Sequence, residues 1–187
     1  MTEEVVCVKE ESVSALGKHL RKIVAAFDVE LRCVTPQDSD FLCELYASTR
    51  WEELAPTAWT DDSKRGFLAQ QWAAQRQYYD QHYTRADHLI MVHRQGGRIG
   101  RLFIDAGAEI RLVDISLSPA WRGRGLGTLL LQALCRQADQ LQRPVVAHVE
   151  TFNPARRLYE RLGFVIEDDN QIYLRLRRIA AVPEPTL

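Results

Sequence analysis

The sequence predicts one α/β (α+β) domain: a mixed, mostly antiparallel sheet of seven strands flanked by about four helices. Three observations carry that reading. Pairs of apolar runs are joined by short turn-forming stretches, which is the pattern of hairpins. One strand passes through a glycine-rich turn into an amphipathic helix and on to another strand, an order that demands a parallel, right-handed crossover. Finally, 187 residues with 46% hydrophobic content can bury one good core and not two.

Taken in order, residues 1–28 read as an N-terminal amphipathic extension. Leu16, Leu20, Ile23, Val24 and Phe27 share one helical face, with Lys18, His19, Arg21 and Lys22 around the other. The stripe is short, so this helix is expected to pack on the domain or on a partner subunit, not on a membrane. The domain proper spans 29–178. Val29–Val34 alternates as a strand, and Thr35-Pro36 then opens a helix with a cap and a proline at its first position. Phe41, Leu42, Leu45 and Tyr46 form its stripe. A long helix is expected from about Asp62 to Tyr83, with Phe67 and Trp72 in the core.

His88–His93 and Arg98–Ile104 flank Gly96-Gly97 and read as a hairpin, and a second turn leads into the strand Glu109–Leu117. After the glycine-rich turn and its helix, Arg143-Pro144 opens the strand Val145–Glu150. Asn153 and Pro154 start a short helix that Gly163 closes. Val165–Glu167 and Gln171–Arg177 form a last hairpin, and 179–187, with two prolines, reads as a flexible tail.

Composition excludes several classes. A net charge of −1 argues against a nucleic-acid partner, which requires a basic surface. Cys7, Cys33, Cys43 and Cys135 are scattered without a Cys-x-x-Cys pair, the pattern of a reducing compartment. The five histidines lack metal-ligand spacing, so no metal is expected. The start is acidic, and no apolar run approaches ~20 residues. A cytoplasmic chain with no membrane partner is the expectation.

The chemistry concentrates in Val113–Leu134. Val113, Ile115 and Leu117 alternate with Asp114 and Ser116, then Pro119 stops the ladder. Gly123, Gly125 and Gly127 follow, and a helical stripe begins at Leu126. Bare main chain before a helix start exposes unpaired N–H groups at the positive end of the dipole. Arg122 and Arg124 add charge, so this is a pocket for phosphate. It is not a dinucleotide fingerprint, because Thr128 stands where the third glycine is needed. Nor is it a P-loop, because no Gly-Lys-Ser/Thr ends it.

Arg122-Gly-Arg-Gly125-Leu-Gly127 is an Arg-x-x-Gly-x-Gly, and it resembles the acetyl-CoA pyrophosphate loop of the GNAT superfamily of N-acetyltransferases. About thirty residues on, Asn153 precedes Ala155-Arg-Arg-Leu158-Tyr159-Glu-Arg-Leu-Gly163-Phe164, which is similar to that family's Ala-x-x-Leu-Tyr-x-x-x-Gly-Phe segment. The likeness runs from roughly Leu89 to Arg178.

The resemblance implies a GNAT-type fold with splayed parallel strands at the cofactor site. It implies acetyl-CoA as co-substrate, with its pyrophosphate on Arg122, Gly123, Arg124, Gly125, Leu126, Gly127 and Thr128. The pantetheine arm would lie between the strands ending at Leu117 and Glu150 and bond the main chain of Ile115 and Leu117. A free N–H near Leu117 would face the thioester carbonyl. Asn153 would contact pantetheine, or only cap its helix. Tyr159 would be the acid for the departing thiolate, or an aromatic packed under Phe164. Glu150 and Asp114 are equal candidates for the base. Arg50, Trp51, Glu52 and Glu53 are expected as walls for a small-molecule or peptide amine, attacking directly in a ternary complex. A homodimer remains open. The alternative is a non-catalytic acyl-CoA-binding sensor or interaction domain on the same fold.

Overall fold

The computed structural model describes residues 13–181. Seven strands, β1 (Val29–Cys33), β2 (Asp87–His93), β3 (Gly97–Ala106), β4 (Ile110–Leu117), β5 (Val145–Glu150), β6 (Val165–Asp169) and β7 (Tyr173–Arg178), make one sheet. Their order is β1-β2-β3-β4-β5-β7-β6. Every neighbouring pair is antiparallel except β4–β5. The sheet is the one the sequence predicts, with the parallel pair at the crossover. The α-helices among the described residues are α1 (Ala15–Val24), α2 (Ser39–Arg50), α3 (Asp61–His82), α4 (Leu126–Gln140) and α5 (Arg156–Arg161).

Helix starts follow the side chains that can satisfy unpaired N–H groups. The Ser14 hydroxyl accepts from Gly17 N–H at 3.0 Å, and Thr60 accepts from Ser63 N–H at 3.2 Å. Thr35 and Asp38 form a reciprocal capping box over a tight turn, Pro36–Asp38, that feeds α2.

One face of the sheet is dry. α1 packs on α4 and β1. Val13, Leu16, Leu20 and Val24 lie in one cluster with Leu130, Leu134 and Ala138 of α4 and Leu31, Leu102 and Leu112 of the sheet. Packing therefore joins α1 to the domain that was expected to begin at residue 29. Buried Asp87 ties it down further, accepting from Ser14 N–H at 2.9 Å and from the Ser14 hydroxyl. Residues 1–12, with Cys7, and 182–187, most of the expected tail, lie outside the described residues. The Ala181 N–H donates to Asp139 at 2.7 Å.

The opposite face carries α2 and α3, and it is not sealed. Leu68 is the buried residue of α3; Phe67 and Trp72, expected in the core, are only half-buried. Phe67 meets Trp59 edge-on at 5.2 Å, and Arg76 lies over Trp72 at 5.6 Å. The reason is that α3 roofs a cavity and does not lie flat on the strands.

A bulge in β4 makes the two faces possible. Opposite β3, Asp114 pairs with Phe103 and Leu112 with Ile104, so Val113 has no partner in the register. The extra residue reverses the side-chain alternation. Leu112 before it and Ile115 and Leu117 after it all meet the apolar cluster. Asp114 and Ser116 consequently point to the α3 side, into the cavity.

Candidate active site

The cavity holds about 570 Å³ and opens where β4 and β5 part. Those strands pair only over Ile110–Leu112 against Val145–Ala147 and then diverge. Beyond that point both edges line the cavity, Val113 to Ser116 on one side and His148 to Glu150 on the other. The Ser118 N–H donates to the Ile99 carbonyl of β3 at 2.8 Å, which sets the phase of the strand end. By alternation, the main-chain groups of Ile115 and Leu117 face away from β3 and into the gap. The splay and the free edge are as the resemblance implied.

The glycine loop sits at the mouth of that gap. Gly123 and Gly125 have φ of 72° and 88°, and a Cβ built on either would meet no atom within 4 Å. Gly125 caps α4, and the first helical bond runs from Leu129 N–H to Gly125 C=O at 2.9 Å. The amides of Leu126, Gly127 and Thr128 thus have no partner one turn back. Open space over unpaired amides at a fifteen-residue helix's positive end fits a phosphate group.

Of the two loop arginines, neither simply projects toward that space. Arg122 turns back: its Nε donates to the Leu117 carbonyl at 2.9 Å, and Nη2 donates to Ser48 Oγ at 2.8 Å and Ser48 C=O at 3.1 Å. It braces the loop to β4 and α2. Arg124 lies over the Trp121 ring at 5.1 Å.

At the inner end, Tyr159 is 4% exposed, packs edge-on to Phe164 at 5.3 Å and lines the cavity. Burial, and then the negative charge of Asp114, push its phenol well above the usual tyrosine range. Asn153 also lines the cavity, and its side chain accepts from Ala155 N–H at 2.8 Å. The regular helix begins only at Arg156, so Asn153 shapes the turn ahead of α5 and does not cap it directly.

Both carboxylates are paired with arginines. Arg101, 5% exposed on β3, donates to Asp114 Oδ2, and the Ser116 hydroxyl donates to Asp114 Oδ1 at 2.6 Å. Glu150 engages Arg50 through Oε1 alone among the described residues. Of the Arg50–Glu53 wall, only Arg50 reaches the cavity. Trp51 lies under Lys64 and Arg65, at 5.8 and 5.6 Å, and Glu53 accepts from Arg50 at 3.0 Å.

Several residues in or beside the cavity carry no signal in the sequence. Arg101 hides inside the apolar run Ile99–Ile104. An opposite charge two strand positions from Ser116 would have flagged it, but only with the bulged register in hand. Tyr79 and Tyr83, one helical turn apart, meet each other at 5.7 Å and Phe103 at 5.4 and 5.8 Å. His148 stands two residues before Glu150 and lines the same wall; burial and then Arg111 lower its pKa, which favours the neutral ring.

Comparison with known proteins agrees with this architecture. Residues 85–166 match the family model described as an acetyltransferase (GNAT) domain. No curated protein sequence matches the chain. Among solved structures, it is similar to the PaiA N-acetyltransferase of Thermoplasma acidophilum in complex with coenzyme A. That match has a TM-score of 0.59 at 15% identity, covering 81% of this chain and 98% of that one. It is similar to Ard1 of Thermoplasma volcanium, TM-score 0.54 at 16% identity, covering 82% and 99%. It is also similar to a Vibrio cholerae spermidine N-acetyltransferase in complex with CoA and spermine, TM-score 0.54 at 18% identity, covering 82% and 96%. At such identities the likeness is one of fold. Residues 85–166 match the GNAT acetyltransferase domain model, and the chain shares the fold of the GNAT N-acetyltransferases.

Proposed function

We propose that the protein is an acetyl-CoA-dependent N-acetyltransferase acting on a primary amine by direct attack in a ternary complex. One observation carries the reading: a glycine loop with unpaired helix-start amides opens straight onto the gap between β4 and β5. Acetyl-CoA supplies the activated acetyl group. The amides from Arg124 to Thr128 hold its pyrophosphate, and the free edge at Ile115 and Leu117 orients the pantetheine arm beside Asn153. The Leu117 N–H stabilises negative charge building on the thioester oxygen. Tyr159 donates its proton to the departing sulfur, which its raised pKa permits only as charge accumulates there.

The two base candidates are no longer equal. Both oxygens of Asp114 are engaged, whereas Glu150 is held through one. Glu150 at the cavity edge is the better proton acceptor, directly or through water. None of the described cysteines lines the cavity, which supports direct transfer over an acetyl-cysteine relay.

The test is calorimetry with acetyl-CoA, followed by thiol release in the presence of amines. Binding with turnover is expected. Binding without turnover of any amine supports instead a non-catalytic acyl-CoA-binding domain. Gly125→Val is expected to weaken acetyl-CoA at least about 100-fold, because a β-branched residue resists positive φ and would fill the space above the amides. Unchanged affinity in the folded variant removes the loop from the site.

A further inference from the structure

The acceptor half of the cavity has a composition that selects among amines. We infer that the acceptor is a small primary amine carried on a flat aromatic body, with no second positive charge. This deepens the N-acetyltransferase reading and rests on it.

Charge comes first. The charged side chains lining the cavity are Arg50, Arg111, Asp114 and Glu150, two of each sign. Both carboxylates are already paired, Asp114 by Arg101 and Ser116 and Glu150 by Arg50 through one oxygen, and the other oxygen of Glu150 is taken up by the reacting amine. Arg111 in turn donates to Glu109 at 2.9 Å. A polyamine entering here would strip water from its second ammonium and find no unpaired anion in exchange. The reacting amine does not suffer this penalty, because it must shed its proton to attack.

Shape comes second. Tyr46 from α2, Tyr78, Tyr79 and Tyr83 from the end of α3, and Tyr173 from β7 line the cavity. Tyr79 and Tyr83 are held rigid by edge-on contact with each other and with Phe103, at 5.4 to 5.8 Å. Such walls offer flat apolar faces to a ring and phenolic O–H groups to its polar substituents. A volume of about 570 Å³, shared with the pantetheine arm, leaves room for a small molecule.

The experiment measures kcat/KM by thiol release for phenethylamine, tyramine, spermidine, glutamate and a tetrapeptide with a free N-terminus, after acetyl-CoA binding is established by calorimetry. The expected result is that the two arylalkylamines exceed the other three at least about tenfold. Tyr78→Ala, at a half-exposed position, is expected to raise the KM for tyramine several-fold while leaving acetyl-CoA affinity unchanged. Faster turnover of spermidine, glutamate or the peptide overturns the inference and leaves the acetyltransferase reading standing. Acetyl-CoA binding without turnover of either arylalkylamine also overturns the inference, and the acetyltransferase reading then stands only if one of the other three amines is acetylated. Absence of acetyl-CoA binding overturns both.

Discussion

The two faces of the sheet solve opposite problems with the same strands. Under α1 and α4 lies a dry cluster in which Leu20, Val24, Leu126, Leu134 and Ala138 show no exposure. Under α2 and α3 lie paired charges, tyrosines and a cavity. Only one of these faces is built to be filled from within. The dry face gains free energy from every methylene it buries, so it closes completely. The wet face keeps polar groups that must each find a partner, so it is held open by ion pairs and by aromatic edges. Holding a volume empty for a ligand costs stability, and the dry face supplies it.

The largest expected effect comes from stripping the dry face. Deleting residues 1–28 removes Leu16, Leu20 and Val24, each worth about 1.5–3 kcal/mol on burial. The loss, roughly 5–9 kcal/mol, is comparable with the whole stability of a typical domain, about 5–15 kcal/mol. Thermal unfolding followed by circular dichroism is expected to show no cooperative transition. A truncated protein that melts within a few degrees of the parent would return α1 to the status of an appendage.

Next, the wet face can be unbalanced at the ion pair that lies against its cavity. Asp114→Ala leaves the Arg101 guanidinium, 5% exposed, without a counter-charge. The expected cost is about 3–5 kcal/mol in urea denaturation. The double variant Arg101→Met, Asp114→Leu is expected to recover most of it, since neither charge then remains. If single and double variants are equally destabilised, the pair is not what props this face.

Tyr159 belongs to both faces: it sits in the apolar cluster and lines the cavity. Tyr159→Phe keeps the ring against Phe164 and removes only the oxygen. As an acid, its loss is expected to lower kcat about 10²–10⁴-fold at saturating acceptor, with acetyl-CoA affinity unchanged. A rate within about threefold of the parent makes it a structural aromatic.

The smallest effect is a titration. His88, stacked on Phe103 at 4.5 Å, is pushed down to about 3, first by burial and then by Arg101 and Arg76. A histidine freed by unfolding takes up a proton near pH 6.5. Its contribution to stability is therefore complete above about pH 6.5 and declines as pH falls toward 3, where the folded form also binds the proton. His88→Phe is expected to flatten the acid limb of stability against pH by up to about one proton. An unchanged slope would mean that His88 is solvated in the folded state.

Several outcomes were written locally in the chain. The strands follow from period-two runs such as Val29–Cys33, because backbone pairing and one buried face select that spacing, and from short apolar runs such as Val145–Val149. The cap at Thr35, the left-handed Gly163 and the loop at Gly123 and Gly125 follow from the conformations those residues alone accept or satisfy. So the seven-strand sheet, the crossover and the phosphate-fitting helix start were all legible before any coordinates.

What the fold decided involves residues far apart in the chain. Arg50 meets Glu150 and Arg122 meets Ser48 across 100 and 74 residues, and no local rule anticipates either pairing. The bulge at Val113 is one extra residue, invisible in an alternating run, yet it sets which face Asp114 and Ser116 address. Aromatic burial is the usual outcome and points to Trp72 as core, but α3 spans an opening and leaves it only half-buried. Sequence determined the elements, since backbone propensity and periodicity act within a few residues. Tertiary structure alone decided which charges are paired and which space stays open, since both depend on contacts the chain makes only when closed.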